Sequence, residues 1–229
     1  MQKRCKVKVI IFGASGMVGQ GVLRECLLAG DIEQVLTVGR SPGTGRDSRL
    51  HDLTLPDMMN YAGLDAQLQG FDACFFCLGV SSSGLTEAAY SQLSYELTMA
   101  AAQALARLNP QMTFIYVSGA GTDSTEQGPV MWARVKGRTE NALLRLPFKA
   151  IYLFRPGVIQ PLHGARSKTA SYRLFYMLAR PVLPLFRALL PNLVLTTESI
   201  GRAMLVAARK GAPKAVLEAA DINALARTG

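Results

Sequence analysis

The chain is 229 residues long and 49% hydrophobic, enough for one α/β core and too little for an independent second domain. Its formal net charge is +9, yet beyond the first residues the basic side chains are scattered singly and no nucleic-acid-binding motif accompanies them, so no nucleic-acid partner is expected. The four cysteines lack disulfide-framework spacing, and the charged start runs into a glycine turn with no signal-peptide apolar region, which points to a reduced, cytoplasmic protein.

The first element is an apolar strand, Val7 to Phe12, followed by Gly13-Ala14-Ser15-Gly16-Met17-Val18-Gly19 and a helix placed at Gln20 to Ala29. A strand, a glycine turn and a helix in that order form a dinucleotide site. Gly13 makes the tight turn, Gly16 admits a pyrophosphate to the backbone, and Gly19 lets the helix pack on the strand. Ser15 and Met17 complete the loop, and the phosphates rest on free N–H groups at the helix start.

A second strand, Gln34 to Val38, leads into Gly39-Arg40-Ser41. An NAD site places an acid here, whereas a guanidinium beside a hydroxyl suits a 2′-phosphate, so Arg40 and Ser41 predict NADP, with Arg46 or Arg49 as helpers. In a short third strand, Leu50 to Leu53, Asp52 and Leu53 are set to meet an adenine edge. His51 reads as a surface residue, and His163, in the stretch Gln160 to Gly164, has only a slightly better claim to the site. A helix over Met58 to Gln69 precedes the strand Ala73 to Leu78, in which Cys74 and Cys77 point to opposite faces and cannot share a metal ion. No metal site is expected. Gly79, just beyond, lets the backbone approach the riboses and diphosphate.

The helix Glu87 to Leu108, the strand Thr113 to Ser118, the helix Val130 to Leu144 and the strand Ala150 to Phe154 follow in turn. Pro156 then turns the chain over the cofactor, and Val158 meets the nicotinamide face. A helix over Ser171 to Leu190, broken at Pro181 and Pro184, and one over Glu198 to Lys210 complete the chain. Strand and helix alternate throughout, which predicts a doubly wound (Rossmann) parallel sheet in one domain, 1–229, with 156–229 as an integral cover. Arg173, Arg180 and Arg187 recur every seven residues, a basic stripe that suits an anionic membrane surface, although packing over the sheet is preferred. Leu174, Phe175, Met177, Leu178, Leu183 and Phe186 would line an apolar substrate pocket or a homodimer contact.

Six segments carry a family resemblance: GASGMVG at 13–19, CLGV at 77–80, VSGAG at 117–121, WARVK at 132–136, FRPGVI at 154–159 and TTESIGRAML at 196–205. Over nearly its whole length the chain resembles the short-chain dehydrogenase/reductase superfamily. Segment order is most similar to the atypical branch of Tat-interactive-protein-type oxidoreductases and NAD-dependent epimerase/dehydratases. The resemblance implies a tyrosine four residues before a lysine on one helix face, with a serine from the preceding strand end. Lys136 matches the lysine, which also holds the nicotinamide ribose. Trp132 stands at the tyrosine position, and an indole has no acid/base cycle near neutral pH. Ser118 matches the first of a serine pair, and Gly119 stands at the second.

The expectation is an NADP-binding oxidoreductase acting on an apolar carbonyl or hydroxyl substrate, with Lys136 and Ser118 as catalytic residues. Its proton comes from Lys136 itself, or from Ser118, Thr122, Tyr90 or Tyr95 through water. The alternative is a regulator that binds NADP and a protein partner without turnover. A third reading shifts the register and brings another tyrosine to the site.

Overall fold

The computed structural model describes residues 6–43, 45–165 and 194–229. The helix expected over Ser171 to Leu190, its arginine stripe and its apolar lining lie outside them. In chain order the elements are β1 (Val7–Phe12), α1 (Met17–Leu28), β2 (Ile32–Gly39), β3 (Leu50–Thr54), α2 (Asp65–Leu68), β4 (Ala73–Phe76) and α3 (Glu87–Ser91). A widened π turn (Gln92–Glu96), α4 (Leu97–Leu108), β5 (Thr113–Val117), α5 (Met131–Leu143), β6 (Ala150–Arg155) and β7 (Val158–Gln160) follow. Last come β8 (Val194–Thr196), α6 (Thr197–Lys210), β9 (Val216–Glu218) and α7 (Ala219–Ala226).

Seven strands form one sheet in the order β3-β2-β1-β4-β5-β6-β9, and every neighbouring pair is parallel. A parallel sheet covered on both faces needs apolar residues at successive positions. Val9, Ile11, Val35, Phe75 and Ile115 pack under α1, α6 and α7, while Ile10, Phe12, Leu36, Phe76 and Phe114 pack under α2, α4 and α5. Cys74 lies in the second layer and Cys77 packs against the first, so the two thiols do face apart; burial pushes the Cys77 thiol up to about 12. β1 feeds α1 on one face and β4 feeds α3 and α4 on the other. The chain therefore parts between these strands and opens a crevice beyond their carboxyl ends, where doubly wound proteins hold their ligands.

Three sequence expectations are corrected. The helix expected over Met58 to Gln69 exists only as the single turn α2, because Asp57 and Asn60 take the Met59 and Ala62 N–H groups at 2.9 and 3.0 Å and draw the backbone into turns. The helix Glu87 to Leu108 is interrupted by the π turn. Arg49 is no helper to Arg40. It precedes β3 at the amino edge of the sheet and donates to the Leu27 and Ala29 carbonyls, capping the end of α1, and to the Ile32 carbonyl at 3.4 Å, while it also pairs with Asp47. The strands β7, β8 and β9 and the helix α7 were not anticipated; β7 and β8 form a separate parallel pair. Among the described residues no helix is long and apolar enough to cross a membrane.

Candidate active site

The glycine turn after β1 is built for close approach. Gly13 sits at φ 76°, and a Cβ there would stand 2.8 Å from the Leu78 backbone at the end of the β4 segment. A Cβ at Gly19 would collide with the Gly13 carbonyl, so only glycine lets α1 begin this near the turn. The Gly16 N–H closes the turn on the Gly13 carbonyl at 2.9 Å. Gly16 caps α1 without a side chain, and no acid occupies the first helical turn. The positive end of the helix dipole thus faces the crevice unneutralised by α1 itself.

At the neighbouring strand end Arg40 and Ser41 are exposed. Asp52 pairs in register with Thr37 and accepts its hydroxyl, while Leu53 pairs with Val38. The backbone after Ser41 folds back so that a Cβ at Gly43 would stand 2.6 Å from the Asp52 carboxylate. Arg40, Ser41, Asp52 and Leu53 thereby share one corner of the sheet. Gly79 follows β4 at the same edge. Pro156 is buried, and its carbonyl accepts the Ala120 N–H at 2.9 Å, tying the turn after β6 to the turn after β5. Val158, in β7, is exposed.

The end of β5 and the start of α5 hold the remaining groups. The Asp123 N–H donates to the Ala133 carbonyl at 3.1 Å, and Gly137 lies so close to the Asp123 carbonyl that no Cβ fits between them. Glycine after Lys136 thus lets the loop beyond β5 press on α5. The Trp132 indole lies across this loop, 3.7 Å from where a Cβ at Gly121 would stand and 4.0 Å from one at Gly119. One helical turn on, the half-buried Lys136 ammonium donates to the Ser118 carbonyl and stands 6.0 Å from the centre of the Tyr116 ring. Burial pulls its pKa down to about 8, against the opposing pull of Glu140.

The hydroxyl expected to orient a substrate does not face one. Ser118 Oγ, at the buried end of β5, lies 2.5 Å from Glu140 and 3.2 Å from the Phe154 carbonyl, so the serine offers Lys136 its backbone oxygen and Glu140 its side chain. This corrects the catalytic role assigned to Ser118. The other hydroxyl candidates are also committed. Thr122 Oγ1 donates to the Gly119 carbonyl at 2.7 Å, Tyr90 is a core side chain, and the Tyr95 ring stacks under the Arg138 guanidinium at 4.3 Å. Tyr116, which would answer the shifted register, is buried with Thr98 and Thr139 on its hydroxyl, and burial holds its pKa high.

Two site residues escaped the sequence reading. Glu140 is 1% exposed and forms an ion pair with Arg155, whose Nε lies at 3.0 Å; Arg155 also reaches Ser124 at 2.6 Å and Glu218 at 3.4 Å. The signal was present as a carboxylate four residues beyond Lys136 on the same helix face.

No family model matches the chain. It is 26% identical over 199 residues to Protein HTATIP2 of Rattus norvegicus, covering 81% of each chain. It is 27% identical over 229 residues to Protein fmp52-2, mitochondrial, of Aspergillus oryzae, covering 95% of this chain and 96% of that one. In fold it is similar to the Bordetella bronchiseptica enzyme WbmF in complex with NAD+, with TM-score 0.67 at 18% identity over 99% of this chain and 78% of the other. It is likewise similar to UDP-glucuronic acid 4-epimerase from Bacillus cereus in complex with NAD, with TM-score 0.63 at 14% identity over 92% and 76%. These solved structures share its Rossmann-type architecture.

Proposed function

We propose that this chain, an atypical member of the short-chain dehydrogenase/reductase-like family, is an NADP-dependent oxidoreductase in which Lys136 exchanges the proton. A nicotinamide dinucleotide fits the residues present. The cradle at Gly13, Gly16 and Gly19 has no room for Cβ atoms at its first and last positions, and it opens on an α1 terminus bare of acids. Ser15 and Met17 flank it, and the corner of Arg40, Ser41, Asp52 and Leu53 takes the adenosine end. Arg40 beside Ser41 favours a 2′-phosphate over a bare ribose. Gly79, Pro156 and Val158 line the path towards Lys136.

The observation that carries the reading is the Lys136 ammonium on the Ser118 carbonyl, with burial bringing its pKa to about 8. A bound reduced nicotinamide supplies a hydride to a carbonyl carbon. Lys136 delivers a proton to the carbonyl oxygen as charge develops there, and takes it back in the oxidative direction. Trp132 covers the glycine turn where the tyrosine of the resembled family would act, and it contributes shape and not a proton. Val80, Val130 and Val158 stand 40%, 47% and 43% exposed along the same edge, which supports an apolar substrate. A cytoplasmic location belongs to the proposal; relatives such as that of Aspergillus oryzae are named mitochondrial.

The test is NADPH oxidation with a carbonyl panel. Lys136→Arg keeps a cation but cannot release a proton, so dinucleotide affinity should hold while turnover falls about 100-fold. Wild-type turnover in that variant overturns the proton role. Tight NADPH binding with no turnover by the wild-type protein favours the regulatory reading, which the indole at the tyrosine position supports.

A further inference from the structure

Lys136 and Glu140 lie one helical turn apart on α5, and both hold Ser118 from that side. The ammonium takes the Ser118 carbonyl, and the Glu140 carboxylate takes its hydroxyl. Arg155, at the end of the adjacent strand β6, holds Glu140 with Nε and Nη2. The result is a closed link from helix to strand end to neighbouring strand end. A carboxylate 1% exposed is costly in an apolar interior unless paired and hydrogen-bonded, and here both conditions are met.

We infer that Glu140 is the positioning residue for Lys136, fixing the end of β5 through the Ser118 hydroxyl so that the Ser118 carbonyl meets the ammonium, with Arg155 fixing Glu140. Its use in catalysis rests on the reading of Lys136 given above; the link itself does not. The groups facing Lys136 are Glu140 on its own helix and the Tyr116 ring on β5. Those facing Glu140 are Ser118 from β5 and Arg155 from β6, and Arg155 is further held by Ser124 and by Glu218 of β9. Glu140 is thus the carboxylate opposing the loss of the Lys136 proton, while the Arg155 cation sits on its far side.

The experiment is a pH titration of the Lys136 ε-carbon by NMR in the dinucleotide-free full chain, with the resonance assigned by its loss in Lys136→Arg. Calorimetric titration with NADPH runs alongside. Glu140→Gln should raise the acid dissociation constant of Lys136 about tenfold, since a carboxylate one helical turn away, which favours the ammonium, is removed. Glu140→Asp should recover part of that change. Because Glu140→Gln leaves Arg155 unpaired and costs stability, the paired variant Glu140→Gln/Arg155→Gln is titrated as well, and the same direction of change is expected. A Lys136 midpoint unmoved in both variants overturns the inference, even where stability falls. Failure of the wild-type protein to bind NADPH, with Lys136 still moved by Glu140→Gln, removes the oxidoreductase reading and leaves the link standing.

Discussion

Lys136 is half-buried with its ammonium on the Ser118 carbonyl, and that burial draws its pKa down to about 8. The sign of the pH dependence follows. Carbonyl reduction needs the ammonium form, so turnover should be level below pH of about 8 and fall above it. Alcohol oxidation needs the free amine and should rise through the same range. A pH–rate profile in both directions checks this, and parallel profiles would contradict it. Trp132 gives a second prediction. Trp132→Tyr restores a phenol one turn before Lys136, and turnover should rise about tenfold or more, with the proton now shared between two groups. Ser118 shows why residue type alone misleads: a hydroxyl at a strand end was foreseeable, but its direction was set by a carboxylate 22 positions further along the chain.

At the scale of elements, the sequence was readable wherever apolar runs were long and turn chemistry was strong. β1 with its glycine turn, and β2, β5 and β6, lie where the alternation put them, because both faces of a central parallel strand must be apolar. The strands β7, β8 and β9 span three residues each, too short to show a period. The stretch from Met58 had helix-like spacing, but Asp57 and Asn60 claimed its N–H groups. Asn109 illustrates an interaction that only the fold reveals. Its side chain accepts from the Gly70 and Phe71 N–H groups at 2.7 and 3.1 Å and donates to the Leu68 carbonyl at 2.8 Å, joining the end of α4 to the approach of β4. Asn109→Ala leaves the buried Phe71 N–H and Leu68 carbonyl without this partner and should cost about 2 kcal/mol in urea unfolding. Since Asn109 lies at the amino edge, dinucleotide affinity should be unchanged; a loss of affinity would place it in the site.

For the molecule as a whole, the doubly wound topology converts a set of strand-end residues scattered along the chain into one edge. The glycine cradle, the Arg40 corner, the turns after β4 and β6, and the Lys136 link all stand at carboxyl ends of parallel strands, as the topology requires of a ligand crevice. The doubly wound parallel class was legible because alternating strands and helices admit few arrangements. The inward turn of Ser118, Thr122 and Tyr90 was not, since it depends on contacts between elements far apart in sequence. We propose that this edge takes a 2′-phosphorylated dinucleotide. Calorimetric titration of the wild-type chain and Arg40→Ala with NADPH and NADH tests it most directly. The wild-type protein should bind NADPH at least about tenfold more tightly than NADH, a preference of the size one charge-assisted contact provides, and Arg40→Ala should erase it. Equal affinities in the wild-type protein would refute the role of Arg40, and saturable binding of neither nucleotide would refute the site.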